Sequence, residues 1–150
     1  MATYHLIIPL AAILVASTQS VQAQVYTGIV VHIRDGDTFV IVDDNGGGEE
    51  VPVRLCGVDS PERGQKGYRA AKKALTLLIH GKTVRCVQVG GKTPCDGRSP
   101  RKSRDRIVAQ CFVGELDIAA EMVRSGNACD WQRFSDGYYR LDPTTCINPN

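Results

Sequence analysis

Asp35-Gly36-Asp37-Thr38 and Val53-Arg54-Leu55-Cys56-Gly57-Val58-Asp59-Ser60-Pro61-Glu62 hold the residues of this chain best suited to chemistry. The second stretch is an apolar strand that carries an arginine and ends in a turn with two carboxylates. The first is another acidic turn, about twenty residues upstream. Carboxylate oxygens are the natural ligands of calcium or magnesium. A guanidinium grips a phosphate through two parallel hydrogen bonds. Acids converging beside an arginine therefore suit a hard cation and a phosphate together, which points to metal-assisted phosphodiester cleavage.

These turns need strands to aim them. Residues 28–34 and 38–42 are rich in β-branched side chains and read as strands joined through the first acidic turn. Asp43-Asp44-Asn45-Gly46-Gly47-Gly48 reads as a hairpin tip, and residues 50–58 as a third strand. Residues 68–79 predict a helix with one apolar face from Ala70, Ala71, Ala74, Leu75, Leu77 and Leu78, ended by Gly81. Residues 83–89 and 106–113 are the fourth and fifth strands, separated by a Gly/Pro/basic loop over 90–104. Asp117 is expected to cap a second helix running to Arg124, with Gly126 just past its end. The fold class expected is mainly β with helices (α+β): a five-stranded OB-type barrel with two to three flanking helices.

The bulk properties narrow the setting. Residues 6–15, LIIPLAAILV, are too short to span a bilayer and precede the small-residue pattern Val21-Gln22-Ala23. Residues 1–23 are read as a signal peptide and residues 24–150 as one mature domain. The formal charge of +2 falls wholly on the mature part. Arg98, Arg101, Lys102, Arg104 and Arg106 crowd together, as a solvated basic loop or a phosphate-contacting one. All six cysteines follow the leader, which points to disulfides in an oxidising compartment. No Cys or His spacing suits zinc. Six cysteines allow 15 pairings; Cys86–Cys111 is expected because both sit mid-strand in expected neighbours. Cys129–Cys146 would anchor the tail, which leaves Cys56–Cys95.

From about Gly28 to Trp131 the chain resembles the thermonuclease (staphylococcal-nuclease-like) family. The resemblance rests on D-G-D-T at 35–38, V-R-L-x-G-V-D-S-P-E at 53–62, G-K-T-V at 81–84, R-I-V-A at 106–109 and the helix at 117–126. It implies an OB-fold phosphodiesterase that uses Ca2+ on DNA and/or RNA and leaves 3′-phosphate ends. It further implies Asp37, Asp59 and the backbone carbonyl of Ser60 as metal ligands, with Arg54 and Arg106 holding the phosphate. Glu62 would be the general base or would order the attacking water, and Asp35 would support the metal pocket from behind. Residues 132–150 would form a disulfide-tied tail. The protein is expected to be exported, periplasmic or secreted, monomeric, and free of stable membrane association after processing.

The chain departs from the family in a longer loop that holds Cys95, in a short tail where Asp142-Pro143-Thr144-Thr145-Cys146 replaces a final helix, and above all in the segment before the fifth strand. An Asp-x-Tyr-Gly-Arg run usually precedes the fifth strand; here it is Lys102-Ser103-Arg104-Asp105-Arg106. Ile107-Val108-Ala109 keeps Arg106 in register. Either Arg106 is displaced, or Arg104 serves instead, or the site is inactive and the barrel only binds nucleic acid or another polyanion. Trp131, Phe134, Tyr138 and Tyr139 either close the barrel or stack on bases.

Overall fold

The computed structural model describes residues 23–140. The expected leader (apart from its last residue) and the end of the tail, with Cys146, lie outside the described residues. Five strands close a barrel: β1 (Val25–Ile33), β2 (Thr38–Asp43), β3 (Glu50–Leu55), β5 (Thr83–Gln88) and β7 (Arg106–Val113). Neighbours run β3-β2-β1-β5-β7, and a parallel β3–β7 pairing joins the ends. Between them come the short strands β4 (Val58–Asp59) and β6 (Lys102–Ser103). β8 (Leu116–Asp117) and β9 (Cys129–Asp130) follow β7. The helices are α1 (Tyr68–Ile79), α2 (Ile118–Arg124) and the single turn α3 (Gln132–Ser135). This is the expected α+β OB-type barrel.

Closing five strands requires strong coiling, and β1 supplies it. A register shift between Val30 and His32 leaves Val31 and His32 both outward, so that Val30 and Ile33 can both face the core. The interior holds Val30, Phe39, Ile41, Val53, Leu55, Val84 and Ala109. Ala71, Leu75 and Ile79 of α1 and Ile118, Ala119 and Met122 of α2 cover its end. The apolar face of α1 is narrower than its sequence suggests. The buried stripe is the i, i+4, i+8 row, while Leu77 is 72% exposed because it lies on the far side of the turn from Leu75. The Asp117 carboxylate accepts the Ala119 and Ala120 N–H groups at 3.0 and 3.2 Å, the expected cap of α2.

Two element boundaries differ from the sequence reading. The third strand stops at Leu55 because Gly57 turns the chain at φ +67°. The chain resumes as β4, which pairs with β9 instead of the barrel. The basic loop also contains structure: β6 pairs with β7 across a two-residue turn, Arg104-Asp105, with Arg104 at φ +58°. Disulfides link Cys86 to Cys111, directly opposite in β5 and β7, and Cys56 to Cys95, as expected. Cys129 is itself disulfide-bonded; its expected partner Cys146 lies outside the described residues. Among the described residues no helix is long and apolar enough to cross a membrane.

Candidate active site

The first acidic turn is a tight corner between β1 and β2. The Arg34 and Asp35 N–H groups both donate to the Thr38 carbonyl, at 2.9 and 3.3 Å, and the Asp35 carboxylate accepts the Asp37 N–H at 3.1 Å. Gly36 is needed for packing. A Cβ there would stand 2.6 Å from the Ala71 Cβ and 2.8 Å from the Ser60 Cβ. The turn is thereby pressed against both the Ser60 segment and α1.

That contact brings the two motifs together. The Asp37 side chain is 1% exposed, and its Oδ2 accepts the Ser60 N–H at 3.0 Å. Its Oδ1 accepts from Arg54 Nη1 at 2.5 Å and from the Thr38 hydroxyl at 2.9 Å. Arg54 projects from β3, and its Nη2 donates to Asp59 Oδ1 at 3.0 Å and to the Val58 carbonyl at 3.2 Å. One guanidinium thus bridges the carboxylates of both motifs. The Asp37 carboxyl is raised to about 7: burial is the largest cause, Arg54 opposes it and Asp35 adds to it. Burial opposes the charge on Arg54, but Asp37 and Asp59 outweigh it and hold the guanidinium more firmly charged than usual.

Arg106 reaches the same cluster. Its Nη1 donates to the Thr38 hydroxyl at 2.9 Å and its Nε to the Ser103 carbonyl at 3.4 Å. Thr38 is the link between Arg106 and Asp37. Arg104 is exposed, so it is Arg106 that lies at the cluster. Glu62 stands apart. It is exposed, its N–H donates to Gln65 Oε1 at 2.6 Å, and among the described residues its carboxylate makes no hydrogen bond or ion pair.

Arg54 also borders a cleft of about 100 Å³ lined by Leu55, Val58, Ser99, Trp131 and Phe134, among others. Trp131 is 41% exposed, its ring centre lies 5.8 Å from the Arg54 guanidinium, and Phe134 meets it edge-on at 4.5 Å. The aromatic tail therefore divides. Tyr139 is buried against Asp117, whereas Trp131 faces the cleft. Three contributors escaped the sequence reading: the Thr38 hydroxyl, the packing role of Gly36, and the Arg34–Asp105 ion pair at 2.9 Å. A hydroxyl next to Asp37 is a usable signal for the first. The other two depend on segments far apart in the chain.

Comparison with known proteins settles the family. Residues 52–141, more than half of the chain, match the model described as staphylococcal nuclease homologue. The chain belongs to that family. A Haemophilus influenzae protein named an uncharacterized endonuclease is 30% identical over 106 residues, covering 71% of this chain and 53% of that protein. An Escherichia coli protein of the same name is 27% identical over 124 residues, covering 82% and 69%. A probable endonuclease of Meyerozyma guilliermondii is 30% identical over 127 residues, covering 70% and 54%. The chain thus spans about half the length of the first and third of these.

The donor set is compatible with a hard cation. Asp37 and Asp59 supply oxygens from two motifs drawn to one guanidinium, and the buried Asp37 anion would be stabilised by a positive charge. Among the described residues no three His, Cys, Asp or Glu side chains cluster as a metal site. A cation here would complete its six to eight oxygens from backbone, water and phosphate.

Proposed function

We propose that the chain is a nuclease that hydrolyses phosphodiester bonds of DNA and/or RNA with calcium, leaving 3′-phosphate ends. The observation that supports this best is the Arg54 bridge between Asp37 and Asp59, with Arg106 joined to it through Thr38.

Asp37, Asp59 and the Ser60 carbonyl would hold calcium; when bound, it offsets the charge of the phosphate and of the five-coordinate transition state. The remaining work falls to the side chains. Arg106 uses Nε and Nη1 internally, so its Nη2 donors are available for a phosphate oxygen. Arg54 keeps its Nε–H for the same purpose. Two fixed guanidiniums hold the phosphate for in-line attack, and losing one such donor costs on the order of 10²–10³ in kcat. Glu62 accepts the proton of the attacking water as the new oxygen–phosphorus bond forms; the bond from phosphorus to the 5′-oxygen breaks, and that oxygen takes a proton from solvent to leave as a hydroxyl. Its exposure leaves it room to meet a water on an incoming substrate, and general-base help of this kind contributes about 10²–10⁴ in rate.

The disulfides fit an oxidising location. The mature chain is taken as residues 24–150, a monomer released to the periplasm or medium without stable membrane association.

The test is digestion of single-stranded DNA, duplex DNA and RNA by the oxidised protein, with calcium, magnesium or chelator, beside Glu62→Gln. Calcium-dependent cleavage lost in the variant supports the assignment. A folded protein that binds these polymers but never cuts them overturns it in favour of a binding module.

A further inference from the structure

The Cys56–Cys95 bond lies at the back of the candidate site. Cys56 lies two residues beyond Arg54, and its N–H donates to the Ala109 carbonyl at 3.0 Å. Cys95 belongs to the basic loop, and both cysteines are fully buried. Between the bond and the chemistry stands Gly57. Its carbonyl accepts the Trp131 N–H at 2.8 Å, and a Cβ on it would lie 2.8 Å from the Ser135 Cβ and 3.2 Å from the Cys95 carbonyl. The loop also packs onto α3: the Ser99 hydroxyl donates to the Phe134 carbonyl at 3.2 Å, and Gly97 lies against that same carbonyl. On the far side, β9 lies beside β4, with Cys129 opposite Asp59.

The Cys56-Gly57 turn, which joins Arg54 on β3 to Asp59 on β4, is therefore held from behind by a long loop and a one-turn helix. The cleft beside Arg54 is lined by both, through Ser99, Trp131 and Phe134. The Cys86–Cys111 bond differs in kind. It joins two strands already paired within the barrel wall.

We propose that the Cys56–Cys95 disulfide is a positioning element of the site: it fixes the Trp131 wall and the Arg54–Asp59 turn, so the chain becomes competent for chemistry only once this bond has formed. Its formation removes two electrons and two protons from the thiols. Exchange with a disulfide-bearing oxidant takes them up, the oxidant leaving as two thiols. Cys56–Cys95 thus sets geometry, while Cys86–Cys111 adds stability. The consequence for activity rests on the nuclease assignment; the consequence for Trp131 does not.

The experiment uses the full chain, whose sole tryptophan is Trp131. The double variants Cys56→Ser/Cys95→Ser and Cys86→Ser/Cys111→Ser are compared by far-UV dichroism, tryptophan emission with acrylamide quenching, and cleavage kinetics. The first pair is expected to keep the barrel spectrum, shift Trp131 emission to the red with easier quenching, and lower kcat by about 10²-fold with a much smaller change in KM. The second is expected to melt earlier while keeping the Trp131 emission and the cool-temperature kcat. Stepwise reduction of the native protein, with alkylated cysteines mapped, avoids any folding defect. The emission shift should follow opening of Cys56–Cys95. Unchanged emission on opening that bond, or equal loss of kcat from both pairs, overturns the proposal. If the wild type cleaves nothing, the nuclease assignment fails and the Trp131 measurements still decide the positioning role.

Discussion

Asp105 accepts an ion-paired hydrogen bond from Arg34 Nη1 at 2.9 Å, and the two residues are 71 apart in sequence. The pair ties the β6–β7 turn to the corner that holds Asp37. The segment that departs most from the family pattern thus carries its own tether, and Arg106, the next residue, is delivered to Thr38. The carboxyl of Asp105 is held below its ordinary value by that hydrogen bond and by its own backbone, although it is exposed.

Asp105→Asn should leave the fold intact and lower kcat only a few-fold, since exposed pairs act weakly. Wild-type activity should converge on that of the variant at high salt, where exposed pairs are screened. Cleavage rates across a salt series check this. A gap that stays constant with salt would separate Asp105 from the positioning of Arg106.

Arg54 has a double role, and two substitutions separate the parts. Arg54→Lys keeps the positive charge beside Asp37 but loses the fork that reaches Asp59 and the Val58 carbonyl, so the protein should fold and kcat should fall by about 10²–10³. Arg54→Met leaves Asp37 buried without its partner, and the expected loss of stability is about 3–5 kcal/mol. Urea unfolding of both variants, run without divalent ions, decides. Equal stability would mean that Asp37 does not depend on the guanidinium.

The barrel was legible because alternating apolar residues, turn glycines and the Asp117 cap are local signals. The boundaries of α1, α2 and β7 follow from them. That Asp37, Arg54, Asp59 and Arg106 come together in the candidate site was legible for another reason: each sits in or beside a strand end within a recognisable motif. Less visible was what depends on packing between distant segments. The break at Gly57 serves Ser135 and Cys95, which lie in segments far down the chain. Arg104 adopts a left-handed conformation without being glycine, so no residue type announced the β6–β7 turn. Leu77 looked like part of the core because apolar residues on a helix need not all be buried.

Tyr139 predicts an alkaline transition. Its hydroxyl donates to Asp117 Oδ2 at 3.1 Å, and burial, followed by the nearby Asp117 charge, raises its ionisation well above the ordinary 10.0. Above about pH 10 the unfolded chain loses this proton while the folded chain keeps it. The unfolded state then binds fewer protons, so stability falls as pH rises; below pH 10 the contribution is fully present. Tyr139→Phe should remove this part of the alkaline slope and cost about 1.5–3 kcal/mol near neutrality, the usual range for a hydrogen bond to a charged group. Urea midpoints from pH 8 to 11 for both proteins provide the check.

Gly36→Ala tests whether the two motifs must touch. Position 36 does not have a left-handed backbone, so alanine introduces no torsional strain there; the only obstacle is space. The new methyl group would meet the Ala71 and Ser60 side chains at distances no real pair adopts, so the corner must move away from Ser60 or from α1. Overpacking of this kind costs about 1–3 kcal/mol. If the corner moves, the hydrogen bond from the Ser60 N–H to Asp37 lengthens and the two carboxylates lose their shared centre at Arg54. The expected result is a folded protein with a modestly lower melting point and a kcat reduced out of proportion to it. Ser60→Gly, placed in the same chain, removes one of the two obstructing side chains and should restore part of the activity. Activity that falls only in step with stability, with no rescue, would show that contact between the acidic turns serves the fold and not the chemistry.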